Sequence, residues 1–258
     1  MAEKYVQTLE RSLDVLEVLA QAEHALGVTE IGNLISLNKS TVYRILHTLC
    51  HRGYVERVKD NERYQLGIKI MELGMRFLND LEIRKVASPV LNDLAKLVNE
   101  VVHLVLPDEG QVVYIDIAES SHIVGMHSKV GRRAPMHCTA VGKALLSTLP
   151  EEEVRHILEI KGMTRYTPNT IVDPNVLMTY LREIKASKIS VEIEENEIGI
   201  ICMGTPVFDY SGRAIGAISV SGPSERIKNK GIERIGQDMK NAGEKISGLM
   251  GFNFYRRL

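Results

Sequence analysis

Cysteine is scarce. Cys50, Cys138 and Cys202 are the three in 258 residues, far apart and odd in number. That pattern argues against a disulfide framework and for a reducing, cytoplasmic setting. An excess of one charge is lacking too. Thirty-two Lys and Arg against 33 Asp and Glu leave a formal net charge of -1. No global basic field therefore announces a nucleic-acid partner, and any such surface must be local. No apolar run approaches the ~18 residues needed to span a bilayer. The opening stretch MAEKYVQTLERSLDVLEVLA is too charged for a secretory leader. Internal repeats and low-complexity tracts are absent as well. What is present, 44% hydrophobic and 25% charged residues, suits a folded chain of one large or two ordinary domains.

The first 67 residues carry the clearest pattern. Thr8 to Gln21 reads as a helix with Leu9, Leu13, Leu16 and Ala20 on one face. Gly27 breaks it, and Thr29 is placed to cap a second helix carrying Ile31, Leu34 and Ile35. Asn38 can cap a third, in which Val42, Ile45, Leu46 and Leu49 form an inward stripe. At about 100° per residue, Ser40, Arg44, His47 and His51 fall on the opposite side, flanked by Tyr43 and Thr48. Hydroxyls there suit phosphate oxygens, and a forked guanidinium suits guanine N7 and O6. The free N–H groups near Lys39 to Thr41 add an anion site. GYVERV and RYQLG then read as two strands of a hairpin whose tip and edges carry Arg57, Lys59 and Arg63. Three helices, the last two joined tightly, followed by a hairpin: this is the order of a winged helix-turn-helix. From Asn38 to Arg63 six Lys/Arg face three acids, so the stretch is +3 within a chain of -1. A small helical subdomain with an ordinary solvated face is the plainer alternative.

These residues also carry a resemblance. LNKSTVYRILHTLCHRGYVER and RYQLG resemble the N-terminal domain of the IclR family of bacterial transcriptional regulators. Asn38 stands where proline is common, and both start helices well. The resemblance continues through GRRAPMHCTAVGKALL (131–146), GIICMGTPVFDYSG (199–212) and AIGAISVSGP (214–223). Four blocks in order cover nearly the whole chain. The resemblance implies a first domain that binds double-stranded operator DNA and a second, GAF-like domain that binds a small metabolite. HSKVGRRAPMHCTAVGKALL and ISGLMGFNFY look most like the branch that senses 2-keto-3-deoxygluconate.

Beyond the wing, Ile68, Met71, Met75 and Leu78 lie near heptad spacing. That stripe is either intramolecular core or a helix pairing across a dimer. The resemblance implies a linker of this kind. Ser88–Pro89 reads as the opening of an amphipathic helix with Val90, Leu91, Leu94, Leu97 and Val98 inward. From Val101 the texture turns β-like: VVHLVLP, QVVYIDIA and HIVGMHSKV, then GIICMGTPVF and RAIGAISVSG around a turn at 209–212. Helices are predicted over 139–149, 151–159, 174–186 and from about 230 to 250. Strand pairs mixed with helices indicate a mainly antiparallel sheet covered by helices.

Enzymatic motifs fit poorly. The residue five before Gly142 is His137, so the phosphate-loop spacing fails. SVSGP lacks the glycine that a nucleophile elbow needs. His137 beside Cys138 is a candidate base and nucleophile, but neighbours in sequence usually point apart. His103, His122, His127, His137, Cys138 and Cys202 share one half of the chain, with no zinc spacing among them. A binding reading has better geometry. Ser219 and Ser221 are i, i+2 on a strand and project from one face. Cys202 and Gly204 lie on a strand that the 209–212 turn brings alongside, and Ala140 and Val141 sit at a helix start. Met126 and Ile200 are candidates to wall a carbon chain. The resemblance implies effector contacts at Met126, Ala140, Val141, Glu192, Cys202, Ser219 and Ser221; Glu192 departs from the usual aspartate. Arg132 and Arg133 offer either contacts to a larger acidic sugar or a rim.

The resulting expectation is an α+β chain. Residues 1–67 form a winged helix-turn-helix, 68–84 a linker helix, and 85–258 an effector domain with a mainly antiparallel sheet. DNA contacts are expected from Lys39, Ser40, Thr41, Tyr43, Arg44, His47, Arg57, Lys59 and Arg63. The expected effector is a small organic acid such as 2-keto-3-deoxygluconate or a related keto-acid, controlling sugar-acid catabolism genes. The expected assembly is a homodimer, with pairing into tetramers left open, and neither cofactor, resident metal nor catalysis is expected. A metal-sensing repressor and a metabolic enzyme with an N-terminal interaction module are the alternatives.

Overall fold

The computed structural model describes residues 5–58, 62–120 and 129–252. The chain divides into two compact units, Met1–Asp80 and Leu81–Leu258.

In the first unit, α1 (Gln7–Gln21), α2 (Val28–Leu34) and α3 (Lys39–His51) precede the hairpin β1 (Val55–Arg57) and β2 (Tyr64–Leu66). Their core gathers Val15, Leu19, Leu26, Ile31, Val42, Ile45, Leu46, Val55 and Tyr64. The inward stripe of α3 is as expected, with Leu49 partly buried beside it. The stripe of α1 is met only in part, at Leu16, which packs against this core. Leu9 and Leu13 stay exposed, and the core takes Val15 and Leu19 instead. Two apolar stripes compete on this helix, and the one facing Ile31 and Ile45 wins.

The α2 cap also differs from expectation. Gly27, not Thr29, is the N-cap, and its N–H donates to Glu30 Oε2 at 2.6 Å. A carboxylate three residues into the helix reaches back over the open N–H groups. The turn into α3 is tight: Leu37 N donates to Gly32 O, and a Cβ on Gly32 would sit 2.7 Å from Leu37 O. Leu26 bridges Tyr64 and so adds a third strand-like partner to the wing. The helix α4 (Ile68–Asp80) buries no residue and leaves Ile68, Met71, Leu73, Met75 and Phe77 exposed.

The second unit opens with α5 (Glu82–Val98), capped at Leu81. Pro89 lies inside this helix rather than at its start. Ser88 Oγ donates to Arg84 O and to Asp116, which ties the turn beside the proline to the neighbouring strand β4 (Gln111–Ala118). Among the described residues, β4 joins β3 (Val101–Asp108), β5 (Arg133–Pro135), β6 (Ser190–Ile193), β7 (Ile200–Phe208) and β8 (Ala214–Pro223) in one sheet. Its order is β5-β4-β3-β8-β7-β6, and every pairing is antiparallel. The short β5 and β6 were not foreseen, because three or four residues carry too little periodicity to be seen. The predicted strand HIVGMHSKV falls largely on 121–128, outside the described residues.

Helices α6 (Ala140–Leu146), α7 (Glu151–Lys161) and α8 (Pro174–Ser187) cover one face of the sheet. The core between them includes Val105, Val112, Val141, Leu145, Leu177, Leu181 and Ala217. The other face meets α5 and α10 (Ile232–Leu249). Gly243 lets α10 approach β7, since a Cβ there would sit 2.6 Å from the Thr205 methyl. A short helix, α9 (Ser224–Lys230), precedes α10 and is separated from it by Gly231 at φ +91°.

Candidate nucleic-acid interface and ligand pocket

On α3 the side chains of Ser40, Tyr43, Arg44, His47 and His51 are exposed, while Val42, Ile45 and Leu46 are buried. Amphipathicity alone orients this helix, because a 13-residue rod with one apolar stripe leaves its other face wet. Asn38 caps it as expected, its Oδ1 accepting from Thr41 N at 2.9 Å and from Ser40 Oγ at 2.8 Å. The cap leaves the first N–H groups of α3, at Lys39 and Ser40, without intrahelical acceptors. Thr41 is only partly exposed. Tyr43 and His47 lie one turn apart with ring centroids at 6.4 Å.

The hairpin divides its cations. Arg57 stays exposed and pairs with Glu62 at 2.6 Å. Lys59 lies outside the described residues. Arg63, expected among the DNA contacts, is held within the unit. Its guanidinium donates to Ala25 O at 2.8 Å and to both Glu30 oxygens, so it fastens the wing to the start of α2. The Gly27 N–H, then the Arg63 charge, hold the Glu30 carboxyl below the usual range.

In the second unit, strand register brings the expected pocket residues together. Glu192, Cys202 and Ser221 are successive partners across β6, β7 and β8. The next row on that face runs Ser190, Gly204, Ser219 and His103. Side chains in a row, and two residues along, share a face. The first turn of α6 lies directly on this patch: a Cβ on Gly204 would be 2.7 Å from Ala140 C and O and 2.9 Å from Val141 N. Only glycine permits that approach, which lays the first turn of α6 over the strand rows that carry Ser219 and Ser221. Thr139 caps α6, its Oγ1 accepting from Gly142 N at 3.2 Å. Ser219, Ser221 and Glu192 are buried, and Cys202 is partly so. Ile200 shares the face of Cys202, and Met126 lies outside the described residues.

His103 belongs to this patch, though the sequence offered it only as a metal candidate. Its Nδ1 lies 3.2 Å from Ser219 Oγ, and its ring meets Tyr114 edge-on at 5.2 Å. Burial pulls its pKa down to about 4, so the imidazole is neutral at pH 7. Glu192 does not simply point into an open space. Its Oε1 accepts from the backbone N–H groups of Glu195 and Asn196, tying down the turn after β6. Burial raises its pKa against the pull of those N–H groups.

A second buried group supports the patch from α6. Lys143 is fully buried, pairs with Glu195, and sits 4.8 Å from the Tyr180 ring centroid. Burial raises the Glu195 pKa, opposed by Lys143. Glu195 Oε2 is buried without a hydrogen-bond partner. The nucleophile reading of Cys138 has no support in the geometry. His137 turns its Nε2 to Thr164 O at 3.0 Å, while the Cys138 thiol faces Asn196 Oδ1. Burial pushes that thiol up to about 12, far from a thiolate. Among the described residues no three His, Cys, Asp or Glu side chains converge on a metal; His122 and His127 lie outside them.

Residues 8–59 match the IclR helix-turn-helix domain, and residues 75–248 match the family described as bacterial transcriptional regulator IclR C-terminal. The chain belongs to the IclR family. It is similar to the HTH-type transcriptional regulator KdgR of Escherichia coli K12, with 34% identity over 97% of this chain and 95% of the relative. It is also similar to XynR of the same organism, 32% identical over 96% and 98% of the two chains. The crystal structure of Thermotoga maritima IclR superposes with a TM-score of 0.79 at 34% identity, covering 96% of this chain and all of that one. This IclR-family chain is a transcriptional regulator of a DNA-binding family and not an enzyme. Among its described residues no helix is long and apolar enough to cross a membrane.

Proposed function

We propose that this chain is a cytoplasmic regulator of sugar-acid catabolism genes that reads an operator with α3 and answers to a small keto-acid or keto-sugar acid. The observation that carries the effector half is the seating of α6 on Gly204, which lays the first turn of that helix over the strand rows carrying Cys202, Ser219 and Ser221. Such a cradle suits a carboxylate: N–H groups and hydroxyls donate to its oxygens, and neutral His103, in the tautomer whose Nδ1–H donates to Ser219 Oγ, leaves the Ser219 proton to the ligand. The sequence likeness to KdgR favours 2-keto-3-deoxygluconate as the acid to try first.

The DNA half assigns base reading to Arg44 and His47, with Tyr43 and His51 at their sides. Lys39, Ser40 and Thr41 contact phosphate at the start of α3, and Arg57 and Lys59 contact it from the wing. Two copies present two such helices to neighbouring major grooves of a near-palindromic site. The exposed apolar residues of α4 support such pairing. Effector binding shifts operator occupancy because it favours one of two arrangements of the pair.

The test is a calorimetric titration of full-length protein with 2-keto-3-deoxygluconate, pyruvate and glyoxylate, paired with operator binding. Saturable heat from one acid, a matching change in operator affinity, and loss of both in a Ser219→Ala/Ser221→Ala variant that still binds DNA support the reading. An unchanged response in that variant refutes the pocket.

A further inference from the structure

The sheet face beneath α6 carries a cavity at the end away from the effector patch. It encloses about 360 Å³, within the range of small-molecule sites. The C-terminal end of α6 and the residues after it line one side, with Ser147, Thr148 and Leu149. Ile184, Lys185 and Lys188 come from α8 and its cap; Pro206 and Phe208 come from β7. Arg213 closes it from the β7–β8 turn. β7 is shared with the effector patch, which uses Cys202 and Gly204, while this cavity uses Pro206 and Phe208. The seven residues of α6 separate the two by about 10 Å at 1.5 Å per residue.

Lys185, Lys188 and Arg213 line the cavity and no acid does, in a chain whose overall charge is -1; Lys188 is engaged over the Phe208 ring, 5.8 Å from its centroid, which leaves Lys185 and Arg213 as its exposed cations. Lys185 and Arg213 are exposed and come from different elements, so helix-end stabilisation of α8 does not account for both. The nearest acid along the turn, Asp209, accepts from Ser211 and from the Arg213 N–H; the Ser211 hydroxyl first, and the Arg213 charge in smaller part, hold its carboxyl below the usual range. The floor is apolar: Leu149, Ile184, Pro206 and Ala214, edged by Phe208, whose ring stacks on Phe252 at 5.2 Å. Its two hydroxyls are spent, Ser147 Oγ on Ala144 O and Thr148 Oγ1 on Leu145 O. A polyhydroxylated sugar acid therefore finds few partners here, whereas a compact apolar body bearing one anionic group finds both a floor and counter-charges.

We propose that this cavity is a second ligand site, separate from the effector patch, and that it takes a small amphipathic anion such as an aromatic carboxylate or sulfonate. The probe is 8-anilinonaphthalene-1-sulfonate, titrated into the full-length protein at low salt and followed by its emission. The expected result is saturable binding that weakens at least tenfold in a Lys185→Glu/Arg213→Glu variant, with an intermediate loss for Lys185→Gln/Arg213→Gln. Salt weakens it, and 1-anilinonaphthalene, which lacks the sulfonate, binds at least tenfold more weakly. The Ser219→Ala/Ser221→Ala variant binds the probe like the parent. Both basic positions are exposed, so the charge variants keep the parent's circular-dichroism melt. Absence of saturable binding, or equal affinity in the charge-reversed variant, overturns the proposal; the latter outcome assigns the probe to another apolar surface.

Discussion

Gly204→Ala is the sharpest perturbation of the effector patch. The added methyl would sit 2.7 Å from Ala140 C and O and 2.9 Å from Val141 N. These are backbone atoms at the start of a helix, so no side-chain rotation relieves the contact, and α6 must lift from β7. α6 is buried along its whole length and its Val141 and Leu145 belong to the core. Overpacking of that kind costs about 1–3 kcal/mol. Urea denaturation of the full chain reads the loss as a lower midpoint at unchanged slope. Gly248→Ala is the control, since a Cβ there has nothing within 4 Å. It lies in the last turn of α10, and alanine stabilises a helix there by up to about 1 kcal/mol. Gly204→Ala also separates stability from function. Lifting α6 moves its first turn away from the hydroxyl-bearing strand rows, so the response to the acid weakens while operator affinity without ligand is kept. If Gly204→Ala matches the parent in midpoint and in response, the seating of α6 is not what forms the site.

Three further outcomes follow from named groups. His103 stays neutral in the fold down to about pH 4 while the unfolded chain takes its proton near 6.5. Between those values the unfolded state binds more protons, so stability falls as pH drops through the window, by about 3 kcal/mol in all at ~1.4 kcal/mol per unit. In His103→Gln the slope of unfolding free energy against pH flattens there; an unchanged slope contradicts it. Lys143→Ala strands Glu195 without its counter-charge and costs about 3–5 kcal/mol in urea denaturation, whereas Lys143→Met with Glu195→Leu recovers most of it. Arg63→Ala loosens the wing from Glu30 and lowers the thermal midpoint of the first unit. The salt slope of DNA binding stays as in the parent, since Arg63 is held by Glu30 and Ala25 O; a slope shallower by about one would return Arg63 to the DNA face.

Legibility in the sequence followed the length of the pattern. The apolar stripe of α3 repeats over 13 residues and its cap is a side chain with a stereotyped role, so both its burial and its start were readable. α1 misled because it has two apolar stripes, and only packing against α2 and α3 chooses Val15 and Leu19 over Leu9 and Leu13. Pro89 misled because proline usually opens helices, yet here the helix runs through it. In the effector patch, i, i+2 spacing placed Ser219 with Ser221, but nothing local placed His103 beside them. That contact joins residues 116 positions apart and exists only through the β3–β8 register. Arg63 shows the same limit: a basic residue on a hairpin looks like a phosphate contact until Glu30, 33 residues away, is found to hold it.

The central claim is that α3 reads base pairs through Arg44. Full-length protein and its Arg44→Ala variant should be titrated, by fluorescence anisotropy at fixed salt, against an operator recovered by selection from random duplexes and against a scrambled duplex. The account predicts that Arg44→Ala weakens operator binding by about 5- to 100-fold and changes the scrambled duplex far less. Equal losses on the two duplexes would contradict it.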